Sequence, residues 1–120
     1  MSNMLKQAPA FNSNLGTGTT PWDVSKVTTF ANMFYGASKF NNGDNSAPIN
    51  NWSINTVSNV NMNSMFVLNT VFNQPIGNWN TSRVTNMSSM FQQASFNQPI
   101  GNWNTSAVTN MGSMFNLNPN

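Results

Sequence analysis

The chain has 120 residues, of which 38% are apolar and only 5% charged, with a net charge of +2 and neither cysteine nor histidine. That inventory excludes disulfide staples and thiolate metal sites. Its four cations, Lys6, Lys26, Lys39 and Arg83, are too scattered to form the basic stripe that tracks phosphates, so no nucleic-acid partner is expected.

The first residues, MSNMLKQAPAFNSN, have no basic stretch followed by an apolar run, and no 18-residue apolar segment occurs anywhere. Neither a signal peptide nor a membrane span is therefore expected. Met4, Leu5, Gln7, Ala8, Phe11 and Asn12 match Met90, Phe91, Gln93, Ala94, Phe96 and Asn97 with one extra residue between Ala and Phe. Residues 1–21 thus read as a partial repeat, followed by repeats 22–51, 52–78 and 79–102 and a partial repeat 103–120, all in a single repeat domain. GTGTT, beginning at Gly16, lacks the lysine and the strand-to-helix setting of a phosphate loop.

The repeat is plainest between Phe72–Phe91, FNQPIGNWNTSRVTNMSSMF, and Phe96–Phe115, FNQPIGNWNTSAVTNMGSMF, which are offset by 24 residues. Trp22, Trp52, Trp79 and Trp103 carry it backwards at separations of 30, 27 and 24 residues. The surplus length of the first full copy falls in NNGDNSAPINN, a cluster of Gly, Asn and Pro that predicts a loop. Between these insertions stand fixed apolar anchors: Trp22, Trp52, Trp79 and Trp103; Met33 with Phe34, Met65 with Phe66, Met90 with Phe91 and Met114 with Phe115; and Phe40, Phe72 and Phe96. All are expected in the core, the tryptophans as one buried column and the methionines as filler.

Within one copy, alternation around Trp79 predicts a short strand near Asn78–Thr81, kept short by Pro75 and Gly77. Beyond it, Val84, Met87, Met90 or Phe91 and Ala94 recur every three to four residues, the spacing of one helix face. A short helical or 3₁₀ segment capped by Thr85 or Asn86 is expected there. The resulting fold class is an α/β solenoid, leucine-rich-repeat-like, with short parallel strands, short helical or 3₁₀ segments and a period of about 24 residues. One copy buries too little apolar surface to offset the entropy of ordering it, so neighbours must share burial. The 25 asparagines would suit a disordered low-complexity segment, but four Trp, nine Phe and nine Met argue for a core. The Asn of each FN pair (Asn12, Asn41, Asn73, Asn97) is expected to bond turn backbone and form a ladder.

The string W-N-T-S-x-V-T-N-M-x-S-M-F, followed by Ala and F-N-Q-P-I, resembles the BspA-like leucine-rich repeat family of bacterial surface proteins, also found in mycoplasma lipoproteins and large DNA viruses. The resemblance is strongest over Phe72–Phe115. It departs from the family beside the tryptophan, where the family's Asp is kept only at Asp23 and is replaced by Ser53, Asn80 and Asn104. The resemblance implies a non-catalytic module for protein–protein interaction or adhesion at a cell or particle surface. The chain starts and stops inside a repeat without an evident cap, so it is expected either to be a piece of a longer protein or to have neighbouring subunits stacking on its terminal coils; the alternative function is a structural component of a larger assembly, such as a virion component or filament subunit.

Catalysis has little to work with, since Asp23 and Asp44 are the only acids and no general base accompanies the hydroxyls. No cofactor, metal or small-molecule substrate is expected. The candidate contact surface is an uncharged, amide-rich strip of outward strand positions: Asp23, Ser53, Asn78, Asn80, Asn102 and Asn104, with Asn51 beside them. A minor alternative is ice or polysaccharide-surface binding through threonines in register at Thr81, Thr105, Thr85 and Thr109, of which Thr81 and Thr105 are expected to point inward.

Overall fold

Two kinds of turn, one closed by short polar side chains and the other by backbone hydrogen bonds, shape the backbone of each copy. A computed structural model describes residues 1–17, 20–44 and 46–120, so Gly18 and Thr19 of the GTGTT stretch and Asn45 of the expected loop lie outside the described residues. Asn61, Asn86 and Asn110 each accept, through Oδ1, the backbone N–H two residues ahead, at 3.0, 2.9 and 2.9 Å. Thr29 does the same with its hydroxyl oxygen, at 3.3 Å. This is the local competition by which Asn and Thr draw a chain out of regular structure.

After each such turn comes a run of tight turns. The N–H groups of Met33, Tyr35 and Ala37 donate to the carbonyls of Phe30, Asn32 and Phe34, three residues back. The alternate N–H groups, those of Phe30, Asn32, Phe34 and Gly36, instead donate to Asn61, Asn63, Met65 and Val67 of the next copy. The same division recurs one copy on, where Met62, Ser64, Phe66 and Leu68 donate to Asn86, Ser88, Met90 and Gln92. It recurs again where Met87, Ser89, Phe91 and Gln93 donate to Asn110, Gly112, Met114 and Asn116. Two residues per run are left-handed, four apart: Asn3 and Gln7, Asn32 and Gly36, Ser64 and Leu68, Ser89 and Gln93, Ser113 and Leu117. In the 30–33 and 34–37 turns the left-handed residue is the third of four, the place where type II turns need a positive φ.

These turns overturn the predicted helix over Val84–Ala94. A left-handed residue every fourth position ends any α-helix, yet it brings side chains to the same face every three to four residues, as a helix would. The strand is displaced as well. It lies not at Asn78–Thr81 but at β4 (Val84–Asn86), which pairs in parallel with β3 (Val60–Asn61) through Val60 opposite Val84 and Asn61 opposite Asn86. Around Trp79, Asn80 Oδ1 accepts the Ser82 N–H at 3.1 Å and folds the chain into a turn instead. Single parallel bridges, Thr29 with Asn61 and Asn86 with Asn110, extend the pairing.

The other regular pieces belong to the first insertion and its surroundings. β1 (Gly16–Thr17) and β2 (Thr20–Pro21) pair antiparallel. The stretch predicted as a loop contains α1 (Ser46–Asn50), the only α-helix among the described residues, after a 3₁₀ turn at Asn42–Asp44 whose three residues all have positive φ. The expected α/β leucine-rich-repeat-like solenoid is therefore not the fold. The molecule is a small compact globule, 34 × 33 × 25 Å across, whose described residues form one parallel two-stranded pair, one antiparallel pair and almost no helix.

The core is aromatic and its rings repeat in register. Phe34, Phe66, Phe91 and Phe115 stack at 5.2, 5.6 and 5.6 Å between centroids. Phe11, Phe40, Phe72 and Phe96 form a second row at 5.8, 5.7 and 6.1 Å, and the rows meet where Phe34, Phe66 and Phe91 face Phe40, Phe72 and Phe96 at 4.1 to 4.2 Å. Such offset stacking adds to the burial of large apolar area. Trp52, Trp79 and Trp103 form a third row at 5.8 and 6.2 Å, but Phe30, at 5.7 Å from Trp52, stands where Trp22 was expected. Trp22 itself is half-buried at the margin.

Met33, Met65, Met90 and Met114 are buried, as are Phe40, Phe72 and Phe96, whereas Phe115 is 46% exposed. Trp79 and Trp103 donate Nε1–H to the carbonyls of Ile49 and Ile76 at 2.6 and 3.1 Å, while Trp52 Nε1 is buried without an acceptor among the described residues.

Candidate functional site

The residues of the expected amide-rich strip lie outside every described strand, contrary to expectation, and they are not equivalent. Asp23, Ser53, Asn78, Asn80, Asn102 and Asn104 are all exposed. Three of them are occupied locally. Asp23 Oδ1 accepts from the Ser25 N–H at 3.0 Å and the Ser25 hydroxyl at 2.7 Å, and Asn80 and Asn104 accept from the N–H of Ser82 and Ser106 at 3.1 and 3.0 Å. The Ser25 hydroxyl and backbone N–H hold the Asp23 carboxyl below its ordinary value of 3.8, with Lys26 helping and desolvation opposing. These side chains therefore work first as turn formers, with their remaining polar atoms facing solvent.

Ser53, Asn78, Asn80 and Asn102 border two adjoining depressions. One, of about 330 Å³, is lined by Asn50, Pro75, Gly77, Asn78, Pro99, Gly101 and Asn102. The other, of about 360 Å³, is lined by Asn50, Asn51, Trp52, Ser53, Ile54, Thr56, Asn78 and Asn80. Asn50 and Asn78 belong to both, and Asn50 Oδ1 accepts the Asn78 backbone N–H at 3.3 Å, so the two hollows share a hydrogen-bonded ridge. Neither lining includes Asp23 or Asn104. The chemistry offered is that of side-chain amides, hydroxyls and proline rings, suited to hydrogen bonding and apolar contact without charge.

On the opposite side of the turn sequence, the FN asparagines form the expected ladder. Asn12 Oδ1 accepts from the N–H of Asn41 and Gly43 at 2.8 and 2.9 Å, Asn41 Oδ1 from Asn73 at 3.1 Å, and Asn73 Oδ1 from Asn97 at 2.8 Å. The threonines are largely spent on structure too. Thr81 is buried and its hydroxyl donates to the Asn104 carbonyl at 3.0 Å, and Thr109 donates to the Thr85 carbonyl at 3.1 Å. Thr105, expected inward, is exposed, because no further copy covers it among the described residues.

A family described as "Mycoplasma protein of unknown function, DUF285" matches residues 1–60 and again residues 42–119. The chain belongs to this family. No curated protein and no solved structure matches it. In this DUF285 member the two matched spans overlap over residues 42–60, the stretch that contains the left-handed turn, α1 and the lining of the second depression apart from Asn78 and Asn80. Among the described residues, no three His, Cys, Asp or Glu side chains gather as metal ligands, and no helix is long and apolar enough to cross a membrane.

Two features escaped the sequence reading. Asn42 and Asn69 are fully buried. Asn69 donates Nδ2–H to the Phe40 carbonyl at 3.1 Å and accepts the N–H groups of Val71 and Phe72 at 3.2 and 2.8 Å, tying two copies together. Among 25 asparagines nothing distinguishes these two by type; only their place three residues after an aromatic anchor or just after an FN pair could have marked them. The second feature is the left-handed backbone at Ser, Gln and Leu in the turn runs, which no side-chain pattern announces.

Proposed function

We propose that the chain is a non-catalytic module for protein–protein interaction or adhesion at an exposed cell or particle surface, in the manner of the BspA-like repeat proteins it resembles. The observation that supports this best is the uncharged double depression bordered by Asn50, Ser53, Asn78, Asn80 and Asn102. Side-chain amides there have donors and acceptors free for a partner, and the prolines and Trp52 supply apolar floor. The near absence of acids and the lack of histidine and cysteine favour binding over catalysis.

Capture of surface proteins and glycans by the intact protein tests this reading. Binding that falls on Asn78→Ala and Asn102→Ala, with an unchanged melting profile, would support it. No capture above background, or capture indifferent to both substitutions, would sink it.

A further inference from the structure

Two interruptions break the 24-residue period, and both border one depression. Trp52 follows Phe40 by 12 residues, where Trp79 and Trp103 follow Phe72 and Phe96 by 7; the surplus falls in residues 41–51, which include α1. Val60 follows Trp52 by 8 residues, where Val84 and Val108 follow Trp79 and Trp103 by 5. The second depression takes Asn50 and Asn51 from the first interruption, Ser53, Ile54 and Thr56 from the second, and Asn78 and Asn80 from the regular copy that follows. Copies of the repeat precede and follow it, so the interruptions themselves give it its shape. Insertions in a repeat array gather on one face, often the face that binds. The loop that carries Thr56 is held from beneath, since the buried Asn55 accepts the N–H groups of Val57 and Ser58 through Oδ1 at 2.8 and 2.9 Å. A rim fixed in advance loses little freedom when a ligand arrives.

The polar groups around this hollow are unspent. Asn51, Ser53, Thr56 and Asn78 are exposed, and their side chains hold no hydrogen bond among the described residues. Asn50 and Asn80 use Oδ1 alone, which leaves their Nδ2–H groups to donate. Trp52 and Ile54 are only 2 and 3% exposed, so they form a floor without a socket for an apolar side chain. Protein partners are gripped mainly by aromatic or arginine anchors seated in dry pockets, and this hollow offers none. Intermixed amides and hydroxyls suit a ligand whose groups donate and accept through the same atom, as the hydroxyls of a sugar do. No charged residue lines the hollow, so a carboxylate or sulfate entering it would lose water without gaining a counter-charge.

We propose that the depression formed by Asn50, Ser53, Thr56 and Asn78 is a binding site for a neutral oligosaccharide. The Asn78 amide, which can donate and accept at once, spans two neighbouring sugar hydroxyls, while Ser53 and Thr56 bond the ring from the opposite rim. At about 360 Å³ the hollow stands at the small end of the range of about 300–1,000 Å³ usual for small-ligand sites. This inference rests on the reading of the chain as an adhesion module and gives the partner of that module a chemical class.

The test titrates the full chain, followed by residue-resolved NMR, with neutral oligosaccharides of glucose, galactose, mannose or N-acetylglucosamine, and with sialylated and sulfated ones as the charged arm. Saturable binding of at least one neutral sugar is expected, with shifts centred on Asn51, Ser53, Thr56 and Asn78 and an affinity unchanged between low and high salt. Asn78→Ala should weaken that binding about tenfold, whereas Asn104→Ala, exposed but outside the depression, should leave it unchanged. Should Asn78→Ala alter the fold by circular dichroism, Ser53→Phe takes its place, filling the hollow from an exposed position and abolishing binding. No saturable binding of a neutral sugar, a preference for charged sugars that fades with salt, or binding indifferent to these substitutions overturns the proposal. Capture of a protein that depends on Asn78, with no neutral sugar bound, would end this inference and leave the interaction-module reading standing; absence of both would end both.

Discussion

Residues 72–91 and 96–115 are almost the same sequence twice, yet they live in different surroundings. Phe91 and Met87 are fully buried; Phe115 and Met111, their counterparts, are 46 and 43% exposed. Thr81 is inside and Thr105 outside. A Cβ on Gly77 would lie 2.9 Å from the Pro99 carbonyl oxygen, while one on Gly101 would meet nothing within 4 Å. Burial here is conferred by whatever lies next along the row and not by the residue itself, so identical substitutions in the two copies should have unlike costs.

The largest contrast is expected at the phenylalanines. Phe91→Ala removes a ring stacked on Phe66, Phe96 and Phe115 and should cost about 3–5 kcal/mol in urea unfolding. Phe115→Ala, with half its surface already in water, should cost roughly 1 kcal/mol; equal costs would break the comparison. Next come the asparagines at corresponding positions. Asn69→Ala strands the buried Phe72 N–H and Phe40 carbonyl and should cost about 2–3 kcal/mol. Asn118→Ala loses a 3.3 Å bond to the Phe96 carbonyl and one to the Asn120 N–H near solvent, and should cost below about 1 kcal/mol by the same measurement.

The glycines sharpen the comparison at smaller scale. Gly77→Ala pushes a methyl against backbone and should lower stability by roughly 1–2 kcal/mol. Gly101→Ala should change it by no more than about 0.5 kcal/mol, read as a difference in thermal midpoint. The smallest effect concerns Asp23, the acidic member of a turn that Asn80 and Asn104 make with amides. Its carboxyl is held below the ordinary value, so the folded state favours the ionised form. That contribution is present above pH 3.8 and is lost as the pH falls through the lowered folded value. The wild type is expected to show a small decline in melting temperature below about pH 4, and Asp23→Asn, which keeps the acceptor, should flatten it.

The anchors were legible and the backbone between them was not. Thirteen of the fifteen expected core side chains are buried, because large apolar residues in fixed register have few other places to go. Of the exceptions, Phe115 lacks a neighbour on one side and Trp22 is displaced by Phe30, which stacks on Trp52 in its place; no single copy can report either. The helix was misread because turns with a left-handed residue every fourth position and a helix with 3.6 residues per turn produce nearly the same apolar spacing. Glycine would have betrayed those turns, but apart from Gly36 the left-handed sites carry Asn, Ser, Gln or Leu. The strand was placed at Trp79, where alternation is produced by an Asn80 turn, instead of at the β-branched pair Val84 and Thr85. For the candidate site, exposure of the strip was foreseeable, while its hollows depend on insertions that set Asn50 beside Asn78.

Among the described residues, eleven other than glycine hold a positive φ, Leu68 and Leu117 included. Each left-handed non-glycine residue is uphill by roughly 1–2 kcal/mol, least for asparagine, whose side chain bonds locally. The protein thus carries a distributed reserve of unspent stability, adjustable one position at a time without touching a single aromatic ring. Protein engineers seeking a hardier or a looser version could treat these sites as a graded scale, from leucine through serine to asparagine and glycine, laid out at regular intervals along the chain.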